Sequence, residues 1–103
     1  AGRPWLARYM EFVRSNPDLL FAGNVVGLLI RGESRGDAAV LREARVQSAR
    51  VEKALGLRSG FIVAVFDEVA DAAGAEGGWP QPLVAIRVLE RVRAELSRSV
   101  ARS

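Results

Sequence analysis

Residues 27–34, with the sequence GLLIRGES, come closer to a chemical motif than any other stretch of the chain. The stretch differs from the phosphate-binding loop G-x-x-x-x-G-K-[ST] by having Glu33 where that loop has its lysine. A carboxylate at this position repels phosphate, and the preceding residues have a helical pattern instead of the strand that the loop requires. We therefore interpret the stretch as the end of a helix, with Gly32 as its C-cap, and not as a nucleotide site.

Arginines supply the remaining candidate chemistry, because 14 of the 15 basic residues are arginine. Such a composition is typical of a GC-rich bacterial genome, but guanidinium groups also bind carboxylates and phosphates in a bidentate manner. Arg31 and Arg35 flank the turn at Gly32, and Arg42 follows on the next helix. These three arginines are the candidate anion-binding group.

Groups that commonly perform catalysis are scarce in this sequence. The 103 residues include no histidine and no cysteine. The commonest general base and metal ligand is therefore missing, and thiol catalysis, disulfides and cysteine-rich zinc sites are excluded. Catalysis would depend on Asp, Glu, Arg, Tyr or the single lysine, Lys53. We accordingly expect no metal and no cofactor, and a non-enzymatic role is favoured.

The charges are arranged in blocks along the chain, whose net charge is +3. Residues 59–82 carry four acidic and no basic side chains, and the segments on both sides are basic. An acidic segment packed against basic helices neutralises part of the positive charge. The basic composition is thus weak support for a nucleic-acid partner.

The elements that must position these residues are helices. Apolar residues recur at helical spacing in five segments, and no segment alternates as a strand does. Asn16 before Pro17, Asp37 and Ser59 are the expected N-caps, and Gly56 is an expected helix end. The predicted helices cover about residues 4–15, 17–31, 38–55, 60–73 and 82–101.

These helices predict an all-α fold, a compact bundle of four to five helices around a central, buried apolar helix at about residues 18–31. We expect a single domain over residues 1–103, excised from a longer protein because the chain begins with Ala1, and an internal linker at residues 74–82. The longest apolar run, residues 19–30, is too short for a membrane span. The compartment stays open, since a soluble chain without cysteine suits the cytoplasm or translocation equally.

Two family patterns overlap within residues 51–76. The stretch VEKALGLRSGFIVAVF has the spacing of a helix-turn-helix, but Glu52 occupies a position that needs a small residue. Its second helix also lacks the basic side chains that read DNA. From Gly56 onward, GLRSGFIVAVFDEVADAAGAE resembles the C-terminal half of the small all-helical chorismate mutases.

That resemblance implies a helical enzyme that holds a dicarboxylate with arginines, a lysine and an acidic group from several helices. The pair Arg42-Glu43 is similar to an Arg-Glu pair of the family but displaced by two residues, and Glu76 lies near the acidic position. Leu28 stands where the family has its lysine.

The sequence favours a protein-protein interaction module, an adaptor or self-association domain that contacts another protein or a second copy in a dimer. Leu41, Ala44 and Ser48 follow heptad-like spacing with small residues in the third helix, where another helix can approach closely. Trp79 lies in the linker, where it is either an anchor on the core or an exposed contact residue. The expected contact residues on the last helix are Leu89, Val92 and Leu96.

Two alternatives remain. One is an anion-binding or chorismate-mutase-like helical enzyme that uses Arg31, Arg35 and Arg42. The other is nucleic-acid binding through the arginines of the last helix. That helix also carries Glu90 and Glu95, so a solvent-exposed face with salt bridges is the preferred interpretation.

Overall fold

The computed structural model describes residues 3–102, which form an all-α bundle of five helices without a strand. The prediction of the fold class is thereby confirmed. The helices are α1 (Arg3–Ser15), α2 (Leu20–Arg35), α3 (Ala38–Leu55), α4 (Phe61–Ala75) and α5 (Gln81–Arg102), and a single 3-10 turn (Pro17–Leu19) joins α1 to α2. None of these helices is both long and apolar enough to cross a membrane.

Helix α2 lies at the centre and contacts α3, α4 and α5. Its buried side chains recur at helical spacing, and together with residues of α4 and α5 they form one continuous core. The predicted end of this helix at Gly32 is wrong. The helix continues for one further turn to Arg35, and Gly36 ends it with a left-handed backbone, φ 61°. Gly32 is buried inside the helix because Leu41 of α3 packs directly against it.

The corner between α1 and α2 also differs from the prediction. Asn16 makes no side-chain capping bond to the 3-10 turn. Its amide nitrogen donates instead to the carbonyl of Phe12 at 2.9 Å, and its carbonyl oxygen accepts from Nε of Arg93 at 3.0 Å. Arg93 also donates to the carboxylate of Asp18. Arg93 of α5 therefore links the corner between α1 and α2 to the C-terminal helix.

We predict that Arg93→Ala lowers the free energy of unfolding by about 1 kcal/mol, since its hydrogen bonds are charge-assisted but partly solvent-exposed. Arg98→Ala is the matched control on the same helix, because Arg98 pairs with Glu95 one turn away at 3.6 Å. Urea unfolding followed by circular dichroism compares the two variants. If both variants had the same free energy of unfolding, the stability of the corner would not depend on Arg93.

Helices α3 and α4 begin with different caps. Asp37 caps α3 as predicted, and its Oδ1 accepts from the backbone N–H groups of Ala39 and Val40, both at 3.1 Å. The predicted cap of α4, Ser59, is not used. Gly60 occupies the N-cap position with φ 83°, and the carboxylate of Glu52 reaches across from α3 to accept the N–H groups of Gly60 and Ile62.

The acidic segment packs against a basic helix in one place. Glu68 of α4 pairs with Arg91 of α5 at 3.0 Å, which is the type of contact that the charge blocks predict. Asp67 and Asp71 of the same helix remain exposed. The acidic segment therefore neutralises part of α5 and still presents carboxylates to solvent.

Candidate functional site

The predicted docking residues lie mainly inside the bundle. Leu89, Val92 and Ala44 are completely buried, and Ser48 is 2 % exposed. A side chain without exposed surface contacts no partner while the fold is intact, so these four are removed from the predicted contact surface. The apolar spacing that suggested a contact surface instead identifies the faces of α3 and α5 that pack on α2. Leu41 and Leu96 are half-buried against the same core.

Trp79 is the anchor of the linker between α4 and α5. Its ring packs against the core while its Nε1 donates to the carboxylate of Glu76 at 3.2 Å. Glu68 and Val69 of α4 line the cavity beside it, together with Arg87 of α5. The half-buried ring therefore belongs to the packing of this chain.

Large exposed apolar side chains lie elsewhere, at positions that the sequence did not single out. Phe21 is 69 % exposed, Leu6 52 %, and Leu20, Val46 and Met10 are close to half exposed. An exposed Phe in the first turn of the central helix is unusual because the rest of that helix supplies much of the core. The sequence signal was ambiguous, since an apolar run predicts burial but not which end of the run stays uncovered.

Phe21 borders a groove between α2 and α3 with a volume of about 330 Å³. Val51, Ala54 and Leu55 of α3 form its apolar wall, and the amides of Asn24 and Gln47 lie along it. Asp18 and Arg50 supply the charges at its rim. We refer to these eight residues as the α2–α3 groove.

The second cavity lies between α1, α2 and the start of α5 and has a volume of about 390 Å³. Arg31 and Arg35 both line it, so the structure brings two of the three predicted anion-binding residues together. Arg42 lies on an exposed part of α3 and does not line this cavity. We call it the arginine cavity, and its lining is Leu6, Tyr9, Gly27, Ile30, Arg31, Ser34, Arg35, Gln81, Pro82 and Ala85.

The arginines of α5 are largely paired within the chain. Arg87 contacts Glu90 at 2.8 Å, Arg91 contacts Glu68, Arg93 contacts Asp18, and Arg98 contacts Glu95. Phosphate binding would have to displace these carboxylates. The arrangement therefore gives no specific support to a nucleic-acid surface on this helix.

Helix α4 likewise lacks the features of a DNA-reading helix. Phe61, Ile62, Val65 and Phe66 face the core, and the exposed side includes only acidic and small side chains among its described residues. Glu52, which contradicted the helix-turn-helix pattern, is the cap of α4. Within residues 3–102 no group of His, Cys, Asp and Glu is arranged to hold a metal ion.

Comparison with protein-family models, with curated proteins and with solved structures finds no match for this chain. The residues that the resemblance to helical chorismate mutases singled out are also not gathered in one place. Arg42, Glu43 and Glu76 line neither the α2–α3 groove nor the arginine cavity. The α2–α3 groove and the arginine cavity are therefore the two candidate functional sites.

Proposed function

We propose that this chain is a non-enzymatic helical interaction module that binds an amphipathic helix of another protein in the α2–α3 groove. The observation that carries the proposal is the exposure of Phe21, 69 % of whose surface is open at the edge of an apolar wall. Burying an exposed aromatic side chain of this size contributes about 1.5–3 kcal/mol. Phe21 is thus suited to be the central contact of an interface.

The shape of the site suits a helix. Helices α2 and α3 are joined by two residues and pack along their length, so the groove between them is bordered by one helix on each side. Val51, Ala54 and Leu55 offer apolar contacts one turn apart. Recognition of this kind uses apolar side chains at positions i, i+3 or i+4 and i+7 of the bound helix.

Charge complementarity specifies the flanks of the partner helix. Two charged residues line the groove: Asp18, which already pairs with Arg93, and Arg50, which forms no ion pair within residues 3–102. The unpaired cation attracts a partner with acidic residues beside its apolar face. The partner is therefore expected to be an apolar helix with Asp or Glu along its edges.

The test is a selection of helical peptides from a random display library on the intact chain. Enriched peptides are expected to carry a helical apolar stripe with acidic neighbours. Phe21→Ser should weaken their binding at least about ten-fold, which corresponds to about 1.4 kcal/mol of the contact. Fluorescence anisotropy of labelled peptides measures the affinities. Since Phe21 is exposed, its substitution should leave the thermal midpoint nearly unchanged.

Met10→Ser is the matched control, because Met10 is 47 % exposed and lies on α1, outside the groove. Peptides that bind Phe21→Ser as tightly as the unmodified chain would place the interface elsewhere. Light scattering over a range of concentrations examines the other occupant, a second copy of the chain. A dimer that Phe21→Ser dissociates would assign the groove to self-association instead of to another protein.

A further inference from the structure

We propose that the arginine cavity binds a small organic anion, a carboxylate or phosphate group attached to an apolar body. This inference does not depend on the proposed interaction module, because it concerns a different pair of helix faces. The ligand's charged group would lie between Arg31 and Arg35, and its apolar part would lie against the side chains of α1 and α5.

The charge balance distinguishes this cavity from the others. Each of five cavities on the described surface is lined by at least one arginine, but four of them are also lined by an acidic residue. In the arginine cavity two guanidinium groups occur with no carboxylate. Among residues 3–102, Arg31 and Arg35 also form no ion pair, in contrast to the paired arginines of α5. Their positive charge therefore remains available to a ligand.

The donors of the cavity are placed close together by the helix geometry. Arg31 and Arg35 are four residues apart, so they project from the same face of α2 on consecutive turns. Tyr9 approaches from α1 and Gln81 from the start of α5. The Tyr9 hydroxyl lies beside Gly23, about two turns before Arg31 on α2, so the charged contacts to an anion come from Arg31 and Arg35.

The carbonyl groups at the C-terminal end of α2 would repel an anion, but this repulsion is weakened because several of them accept hydrogen bonds. Ser34 Oγ donates to the carbonyl of Arg31 at 3.3 Å. The backbone N–H groups of Asp37 and Gly36 donate to the carbonyls of Gly32 at 2.9 Å and Glu33 at 3.4 Å. Partnered carbonyls present less negative charge to the cavity than unpartnered ones do.

The apolar part of the cavity is open because Gly27 has no side chain. A Cβ placed at Gly27 would have no atom of the chain within 4 Å beyond its own helix. Leu6, Ile30 and Ala85 surround this space. A volume of about 390 Å³ is within the lower range of small-molecule sites, about 300–1,000 Å³. The cavity can thus accommodate an anion with an apolar ring or chain.

The experiment is a ¹H–¹⁵N NMR titration of the intact chain with three probes: inorganic phosphate, malonate and phenyl phosphate. We expect saturable shifts of the amides of Gly27, Ser34 and Gln81, with phenyl phosphate binding more tightly than inorganic phosphate. The comparison of malonate with phosphate distinguishes a carboxylate preference from a phosphate preference. Arg31→Gln and Arg35→Gln should each weaken binding about ten-fold, as the loss of one charge-assisted contact predicts.

Arg42→Gln is the matched control, since it removes the same charge from an exposed site outside the cavity. It should change the affinity less than about two-fold because surface charges at a distance are screened by salt. Gly27→Leu should abolish binding by filling the apolar space, and Phe21→Ser should have no effect. The inference is wrong if Arg42→Gln weakens binding as much as Arg35→Gln. It is equally wrong if no probe saturates below about 50 mM, well beyond the millimolar range of a weak specific site.

Discussion

Glu52→Ala is expected to lower the free energy of unfolding by about 2–4 kcal/mol, because it leaves two backbone N–H groups at the start of α4 without their acceptor. The Glu52 side chain is 2 % exposed, and it accepts the N–H groups of Gly60 at 3.0 Å and Ile62 at 2.8 Å. Alanine leaves the first turn of α4 without its acceptor. The N–H of Ile62 is buried, so water does not readily replace the carboxylate there.

A second variant separates the hydrogen bonds from the loss of volume. Glu52→Gln keeps the size of the side chain but leaves one oxygen to accept a hydrogen bond, since its NH₂ group faces an N–H donor. We expect a loss of about 1–2 kcal/mol, between that of alanine and the unmodified chain. Urea unfolding monitored by circular dichroism measures both variants.

Glu43→Ala is the control, because Glu43 is an exposed carboxylate on the same helix. Its removal should change the stability by less than about 0.5 kcal/mol. If Glu52→Ala were no more destabilising than Glu43→Ala, the cap of α4 would have to come from the backbone of the Gly60 turn alone.

Glu52 also shows why sequence reasoning located some caps and not others. Asp37 was predicted correctly because its carboxylate binds N–H groups two and three residues ahead. Glu52 binds N–H groups eight and ten residues ahead, across a turn whose path is set by two left-handed glycines, Gly56 and Gly60. A local pattern does not reveal such a contact. In the sequence, Glu52 was visible only as a residue that did not suit a helix-turn-helix.

The same limit applies to the predicted contact surface. Helical periodicity identified the apolar stripe of α5 that includes Leu89 and Val92, but periodicity does not tell whether a stripe faces its own chain or a partner. The structure turns this stripe inward and leaves Phe21 exposed. Arg31 and Arg35 line one cavity because a spacing of four residues places them on one helical face. Arg42 lies outside that cavity because it follows the reversal of the chain at Gly36.

The fold class was predictable because its signals are local and repeated. Five apolar helical patterns, the cap at Asp37 and the helix end at Gly56 are each encoded within a few residues, and all occur in the structure. The end of α2 was less certain from local chemistry, as Gly32 and Gly36 are both suitable C-caps. Packing decided between them, because Leu41 covers Gly32 and nothing covers Gly36.

This choice leads to a pair of opposite predictions for two glycines in one helix. Gly32→Ala should destabilise the chain by about 1–3 kcal/mol through overpacking. A Cβ at Gly32 would lie 2.8 Å from Cγ and Cδ2 of Leu41 and 3.3 Å from its backbone nitrogen, so α3 itself has to shift. Gly27→Ala should instead stabilise the chain by about 0.5–1 kcal/mol, since the new methyl group meets no atom and alanine is the better helix former.

The pair is informative because both substitutions gain the same helix propensity, so the difference between them measures packing alone. The free energies of unfolding of the two variants, measured by thermal and urea unfolding, should therefore differ by about 1.5–4 kcal/mol, with one variant below and the other above the unmodified chain. Two stabilised variants would mean that Leu41 moves away from Gly32 at little cost and that α2 and α3 are loosely packed. A destabilised Gly27→Ala would mean that the space above Gly27 is occupied by part of the chain, which is incompatible with an open arginine cavity.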